Sequence, residues 1–391
     1  MKLFRRLSTP RLLALIVALV AAAAAASVGS MAALGSSAQT PPSKPLDQAL
    51  ETALTAPTPE GVTARVRFTN NLFPSGALSG VTGSEGSALT SGGSGRLWWS
   101  PDGRGRIELQ SDAGDAQILW DKNRLTIWDS SSNTVYQLPL PAHTAGTGSQ
   151  EQPPTLAAVD SFLERLAEQA NVAGPTPASV GGQPAYRVSV APAHSAGLIG
   201  SLDLAWDAAH GVPLEIALRA QGQSAPALAL TVTDISFGPV AVSDLAGTPP
   251  ASAKTVALDG QANTGETGSE QKVTGLAAVQ AGVPFTLVAP DTLVGLPRQS
   301  VQLLGGHDPG ALVLYGHGLG GIALVEHAAG STQSKDQTSS LPPVALGTAT
   351  TGHELSTELG TVLFFDRGGV SFVLAGSMPP AAAEAAARSV G

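Results

Sequence analysis

The stretch 96–140 reads RLWWSPDGRGRIELQSDAGDAQILWDKNRLTIWDSSSNTVYQLPL. Its apolar runs are only a few residues long, and they are separated by PDG (101–103), DAGD (112–115), DKN (121–123) and SSSN (130–133). Such clusters let a strand reverse directly onto its neighbour, so the stretch is predicted to be a meander of five short antiparallel strands. Four of the five tryptophans of the chain, Trp98, Trp99, Trp120 and Trp128, fall within it. Large aromatic side chains concentrated on one sheet supply apolar area without charge, which suits either a filled core or a surface that holds an apolar ligand. The function turns on that choice.

Outward from the meander the chain continues in the same style. A short helix is expected at Leu46–Leu54, a strand at Val62–Asn70, and a flap in the Gly/Ser-rich segment 75–95. After a polar loop at 142–154, Thr155–Asn171 carries Leu156, Val159, Phe162, Leu163, Leu166 and Ala170 at helical spacing, opposite Asp160, Glu164, Arg165 and Glu168. One apolar stripe on a helix must be buried, and the sheet is the surface it is expected to lie on. Further strands are expected at Ala185–Ala191, Gly200–Asp207, Pro213–Gln221 and Ala227–Phe237, the middle two joined by the turn DAAHGVP (207–213). These elements form a first domain, 46–245.

Hydrophobic periodicity then lapses over 246–278, which reads as a linker, and returns in a small α+β domain, 279–391. There, strands are expected at Phe285–Ala289, Val301–Leu304, Ala311–Tyr315, Gly321–His327, Thr361–Asp366 and Gly369–Gly376, with an Ala-rich helix from Pro380 and a surface loop at 331–340. The class is mostly β, α+β in detail.

The 391 residues, 43% hydrophobic and 13% charged, are enough for real cores, and 45 Gly with 29 Pro suit a turn-rich sheet protein. There is no cysteine, which removes disulfides, thiolate metal sites and thiol nucleophiles. Lys2, Arg5, Arg6 and Arg11 precede an apolar run from Leu12 to Ala26 that extends weakly to Leu34, and Ser36 and Ala38 fit a cleavage site. Residues 1–38 are therefore a signal peptide or a membrane anchor; either places the rest of the chain outside the cytoplasm. Setting those four cations aside leaves about 17 basic against 30 acidic residues, a balance that makes nucleic acid a poor partner.

The segments LWWSPDGRGRIEL, ILWDKNRLTIWD, GGQPAYRVSV and LDLAWDAAHGVPLEIAL, taken as a set, resemble the LolA-like family together with RseB/MucB-type periplasmic regulators, over about 46–245. The C-terminal region is similar in outline to the small second domain of RseB-like proteins. The resemblance implies an incomplete antiparallel β-barrel around a helical plug or lid, with an apolar cavity that in relatives accepts acyl chains of lipids or lipoproteins. On that expectation the ligand-binding candidates are Trp98, Trp99, Leu119, Trp120, Ile127 and Trp128 of the meander, Phe162 and Leu166 of the helix, and Trp206. Ordinary core packing is the competing role for each. The expected function is carrier-like binding of a lipid or lipoprotein acyl chain. The alternative is an RseB-like envelope sensor that binds a membrane anti-sigma factor. Each methylene moved from water into an apolar cavity contributes about 0.8 kcal/mol.

Other motifs carry less. YGHGLGG (315–321) has dinucleotide-loop glycine spacing after a strand, but GIALVEH resumes as a strand where that fold needs a helix, so a hairpin is expected. His307, His317, His327 and His353 lack metal-ligand spacing, and no nucleophile elbow or paired carboxylates occur. No catalytic residue, metal or cofactor is expected.

Overall fold

Turn clusters that recur every few residues produce hairpins, and hairpins set side by side produce two antiparallel sheets. The computed structural model describes residues 40–73, 87–140, 156–168, 170–193, 197–257, 273–305, 309–330, 341–347 and 350–390. The expected leader (1–38), most of the Gly/Ser flap, the loops 142–154 and 331–340, and the middle of the expected linker lie outside the described residues.

The first sheet follows helix α1 (Leu46–Thr55) and begins with β1 (Val62–Asn70). The meander supplies β2 (Gly93–Trp99), β3 (Gly105–Gln110), β4 (Ala116–Trp120), β5 (Arg124–Asp129) and β6 (Thr134–Pro139), five strands as expected. Helix α2 (Leu156–Ala167) follows, then β7 (Ala170–Val180), β8 (Gln183–Pro192), β9 (Ile199–Asp207), β10 (Pro213–Ala220) and β11 (Pro226–Phe237). The sheet order is β12-β6-β5-β4-β3-β2-β1-β11-β10-β9-β8-β7, where β12 (Lys254–Ala257) comes from within the expected linker and pairs parallel with β6. β1 and β11 thus close the centre, and the far hairpin curls until β7 also touches β11. The result is the incomplete barrel expected, with α1 packed on its concave side.

Two expectations are corrected here. Residues 170 and 171 belong to β7 rather than to the helix, and β7 itself, ANVAGPTPASV, was not expected. It is an edge strand, where prolines that lack an N–H are tolerated.

The second sheet has the order β13-β14-β15-β16-β20-β19-β18-β17. After helix α3 (Leu276–Gly282) come β13 (Thr292–Leu293), β14 (Leu296–Leu304), β15 (Gly310–Tyr315), β16 (Ile322–Ala328), β17 (Pro343–Ala345), β18 (Thr351–Thr357), β19 (Gly360–Arg367) and β20 (Val370–Gly376), then helix α4 (Pro380–Ser389). The glycines 316–321 form the β15–β16 turn. Phe285–Ala289, expected as a strand, is not one. Its side chains pack on the core, and its Val288 N–H donates to the Glu326 carboxylate (2.9 Å) instead of to a neighbouring strand. Arg367 caps the end of α4, donating to the carbonyls of Ala387 and Val390.

Glu326 is fully buried, with its second carboxylate oxygen unpartnered among the described residues. Burial pushes its pKa up to about 7, opposed by the Val288 N–H. The buried Tyr315 hydroxyl also lacks a partner among the described residues, and burial raises its pKa to about 12.

Candidate functional site

Strand register places the candidate side chains in rows that run across the sheet. On the concave face one row is Phe237, Val62, Trp99, Gly105, Trp120, Leu125 and Leu138. The next is Ile235, Ala64, Leu97, Ile107, Ile118, Ile127 and Tyr136. Above these rows lies a cavity lined by Trp99, Trp120, Val62, Ala64, Leu97, Val232 and Ile235, with Ala53, Ala56, Thr58, Pro59, His210, Val212 and Pro213 on its other side. The cavity is partly open to solvent, and its volume is about 50 Å³. At roughly 10–15 Å³ per water site, that is room for only a few waters. A long acyl chain therefore enters only if the covering elements part.

Each wall has a local cause. Trp120 leans over Gly105, where a Cβ would stand 1.9 Å from its Cζ2, so glycine at that row position is what makes room for the indole. Both Trp120 and Trp128 have buried indole N–H groups with no hydrogen-bond partner among the described residues. Opposite, α1 packs Leu46, Ala49, Leu50 and Ala53 against Tyr186, Val188, Leu204 and Trp206. The β9–β10 turn meets α1 at Gly211, whose φ of +66° suits glycine and whose Cβ would lie 2.3 Å from the Ala53 carbonyl. That turn is held by Asp207, which accepts from the Ala209 and His210 N–H groups (3.1 and 2.6 Å) and pairs with His210 Nδ1 (2.8 Å). The His210 ring in turn rests on Phe237, centroids 4.1 Å apart. Tyr186 donates its hydroxyl to the Pro42 carbonyl (2.7 Å), anchoring the segment that leads into α1.

Away from the cavity the concave face is less covered. Ile118, Ile127, Tyr136 and Leu138 are half-buried, as are Phe68 and Leu230 two rows further along the strands.

The residues singled out from the sequence do not gather in one place. Trp120 and Ile127 are on the concave face, Trp120 in the cavity wall and Ile127 in the half-buried row beside it. Trp206 is buried under α1. Trp98, Leu119 and Trp128 are on the opposite face by strand alternation. Trp98 and Leu119 are covered there by the chain's own segment 242–247. The Arg106 guanidinium stacks 5.4 Å from the Trp98 ring and donates to the carbonyls of Asp244 and Ala246. A Cβ on Gly247 would stand 2.6 Å from Leu119 Cδ2. Helix α2 packs chiefly against α1 and β7 rather than over the tryptophans, with Leu166 half-buried and Phe162 45% exposed. Val62, Val232, Ile235 and His210 are not singled out by the sequence; of the neighbours Trp98 and Trp99, which face opposite ways on one strand, it is Trp99 that points inward.

Among the described residues there is no group of three or more His, Asp or Glu placed to hold a metal ion, and no helix is long and apolar enough to cross a membrane.

No family model and no curated protein matches the chain. Among solved structures it is similar to MucB in complex with MucA(peri), at 16% identity over 88% of this chain and 97% of that one, with a TM-score of 0.43. It is also similar to the Pseudomonas aeruginosa MucA/MucB complex, at 16% identity, 88% and 96% coverage and a TM-score of 0.41. A LolA superfamily protein from Nitrosomonas europaea matches at 9% identity over 51% of this chain and 96% of that one, with a TM-score of 0.21. At these values the similarity leaves the functional reading to the residues themselves.

Proposed function

We propose that the protein acts outside the cytoplasm as a binder of an apolar ligand, an acyl chain of a lipid or lipoprotein, on the concave face of its larger sheet. The observation that carries this reading is the pairing of a cavity walled by Trp99, Trp120 and aliphatic side chains with a contiguous row of half-buried Ile118, Ile127 and Tyr136. The cavity alone is too small for the ligand. It is the starting point, and the half-buried row is where a chain longer than the cavity continues once α1 lifts. Burying that chain and the exposed parts of the row together removes apolar area from water at about 25 cal/mol per Å², before the costs of ordering.

The test is equilibrium binding of a fluorescent fatty-acid probe, read through tryptophan emission. Saturable binding with a change in emission is expected, weakened by about 1–3 kcal/mol in Trp120→Ala. Trp98→Ala, on the far face, is expected to leave the affinity unchanged. A wild-type protein that shows no saturable binding overturns the reading.

A further inference from the structure

The convex face of the larger sheet carries a charge pattern opposite to that of the chain as a whole. One cross-strand row there reads Asp234, Arg65, Arg96, Glu108, Gln117, Trp128, and the next includes Arg67 and Ser94. Arg65 and Arg96 are direct cross-strand partners, an arrangement of like charges that destabilises a sheet. Arg65, Arg67 and Arg96 are all exposed, and none has a carboxylate within ion-pair distance among the described residues. The carboxylate opposite Arg96 is already taken, since Glu108 accepts from Arg106 and from the Gln117 amide (3.1 Å). Asp234, exposed beside Arg65, is the one carboxylate in the row left without a partner among the described residues. In a chain with 30 acidic and 21 basic residues, three guanidiniums held together without a carboxylate partner among the described residues constitute a local reversal of sign.

We propose that this arginine face docks an extended acidic segment of a partner protein, a role that goes beyond ligand binding on the concave side. Charge complementarity identifies the chemistry, and spacing identifies the form. Arg65 and Arg67 are two residues apart on one strand, roughly 7 Å, which is also the separation of alternate side chains in an extended peptide. Arg96 lies one strand over, roughly 5 Å from Arg65. A peptide with a carboxylate at every second position therefore meets Arg65 and Arg67 in register, with Arg96 beside them. Guanidinium–carboxylate pairs formed this way are charge-assisted and short.

The test uses the full chain and a labelled peptide of alternating Glu and Thr, with a same-composition control in which the glutamates are paired (Glu-Glu-Thr-Thr repeats). Binding by anisotropy is expected to favour the alternating peptide, and to weaken steeply as salt rises from about 50 to about 300 mM. In the triple variant Arg65→Gln, Arg67→Gln, Arg96→Gln it is expected to fall at least about tenfold. The thermal midpoint of that variant is expected to stay level or rise, because a like-charge pair is removed. Unchanged peptide affinity in the triple variant overturns the proposal. Equal affinity for the two peptides overturns the extended occupant. Binding to vesicles containing phosphatidylglycerol, abolished by the triple variant, with no peptide binding, assigns the face to a membrane surface instead and also overturns it.

Discussion

In the 8-stranded sheet Leu293, Val313, Leu324, Leu363 and Leu374 are all 0% exposed, as are Ala383, Ala386 and Ala387 of the helix laid across it. In the 12-stranded sheet the corresponding concave rows stop short of closure, leaving a cavity and half-buried Ile118, Ile127 and Tyr136. The same antiparallel construction thus gives one core that is filled and one that is not. The difference lies in what covers each sheet. The small sheet has its Ala-rich helix, whose side chains allow close approach, together with α3 and the Phe285–Ala289 segment. The large sheet has α1, seated on β8 and β9 through Tyr186, Val188 and Trp206, while α2 stands mainly against α1 and β7. Among the described residues, the twelve strands present more concave surface than α1 and the short helix Ala88–Ser91 shield.

Truncating a side chain of the filled core is expected to have the largest effect. Leu374→Ala removes a fully buried side chain and is expected to destabilise by about 2–5 kcal/mol. All five tryptophans lie in the larger sheet, so tryptophan emission reports that sheet alone while far-ultraviolet circular dichroism reports both. A shift in the dichroism transition with an unmoved fluorescence transition is expected if the two sheets unfold as separate units, and coincident shifts would show that they unfold as one.

A smaller effect, of opposite sign, is expected at Glu326. Its carboxyl is raised by burial from 4.5 to about 7, so the folded chain holds a proton that the unfolded chain has released. The group's contribution to stability therefore falls as pH climbs from about 4.5 to about 7 and is flat above that, by up to about 3 kcal/mol in all. Glu326→Gln keeps an acceptor for the Val288 N–H, and is expected to flatten this slope and to raise stability near neutral pH by about 1–3 kcal/mol. Denaturant titrations at several pH values check it. An unchanged slope would mean that some other group titrates there.

The smallest effect is expected in the unfilled core. Ile127→Ala, in the half-buried row, is expected to cost about 1 kcal/mol or less, well under the range for a fully buried truncation. A cost comparable to that of Leu374→Ala would show that the row is closed packing, and would count against ligand binding there.

How much of this was legible in the sequence depends on the element. The five meander strands and the four strands from 185 to 237 could be read because their turns are written in Pro, Asp, Asn and Gly and their apolar runs are short. β7 could not, because Gly174, Pro175 and Pro177 carry the signature of a loop, and only its edge position makes a strand of it. The Phe285–Ala289 run could not either: its apolar residues serve a packed segment without ladder hydrogen bonds. At the site, the aromatic content is visible in the sequence, and its facing follows from strand alternation. Leu119 beside Trp120, and Ile127 beside Trp128, are strand neighbours, so at most one of each pair lines a given face. That the outward-facing Trp98 and Leu119 are partly covered depends on segment 242–247, which returns from more than a hundred residues away and leaves no local trace. Glu326 was equally silent, since within GIALVEH nothing distinguishes a surface carboxylate from one enclosed by the segment that follows α3.

An open sheet has two free margins, each a template on which another chain can polymerise. Here both margins are blunted. At one, β12 is four residues long and begins with Lys254, which places a cation at the rim and leaves little ladder to extend. At the other, β7 breaks its register between Ala173 and Thr176, and two of its residues are prolines with no N–H to offer. Edge-to-edge stacking is therefore discouraged at each end, so the sheet can stay open without becoming a template for further copies.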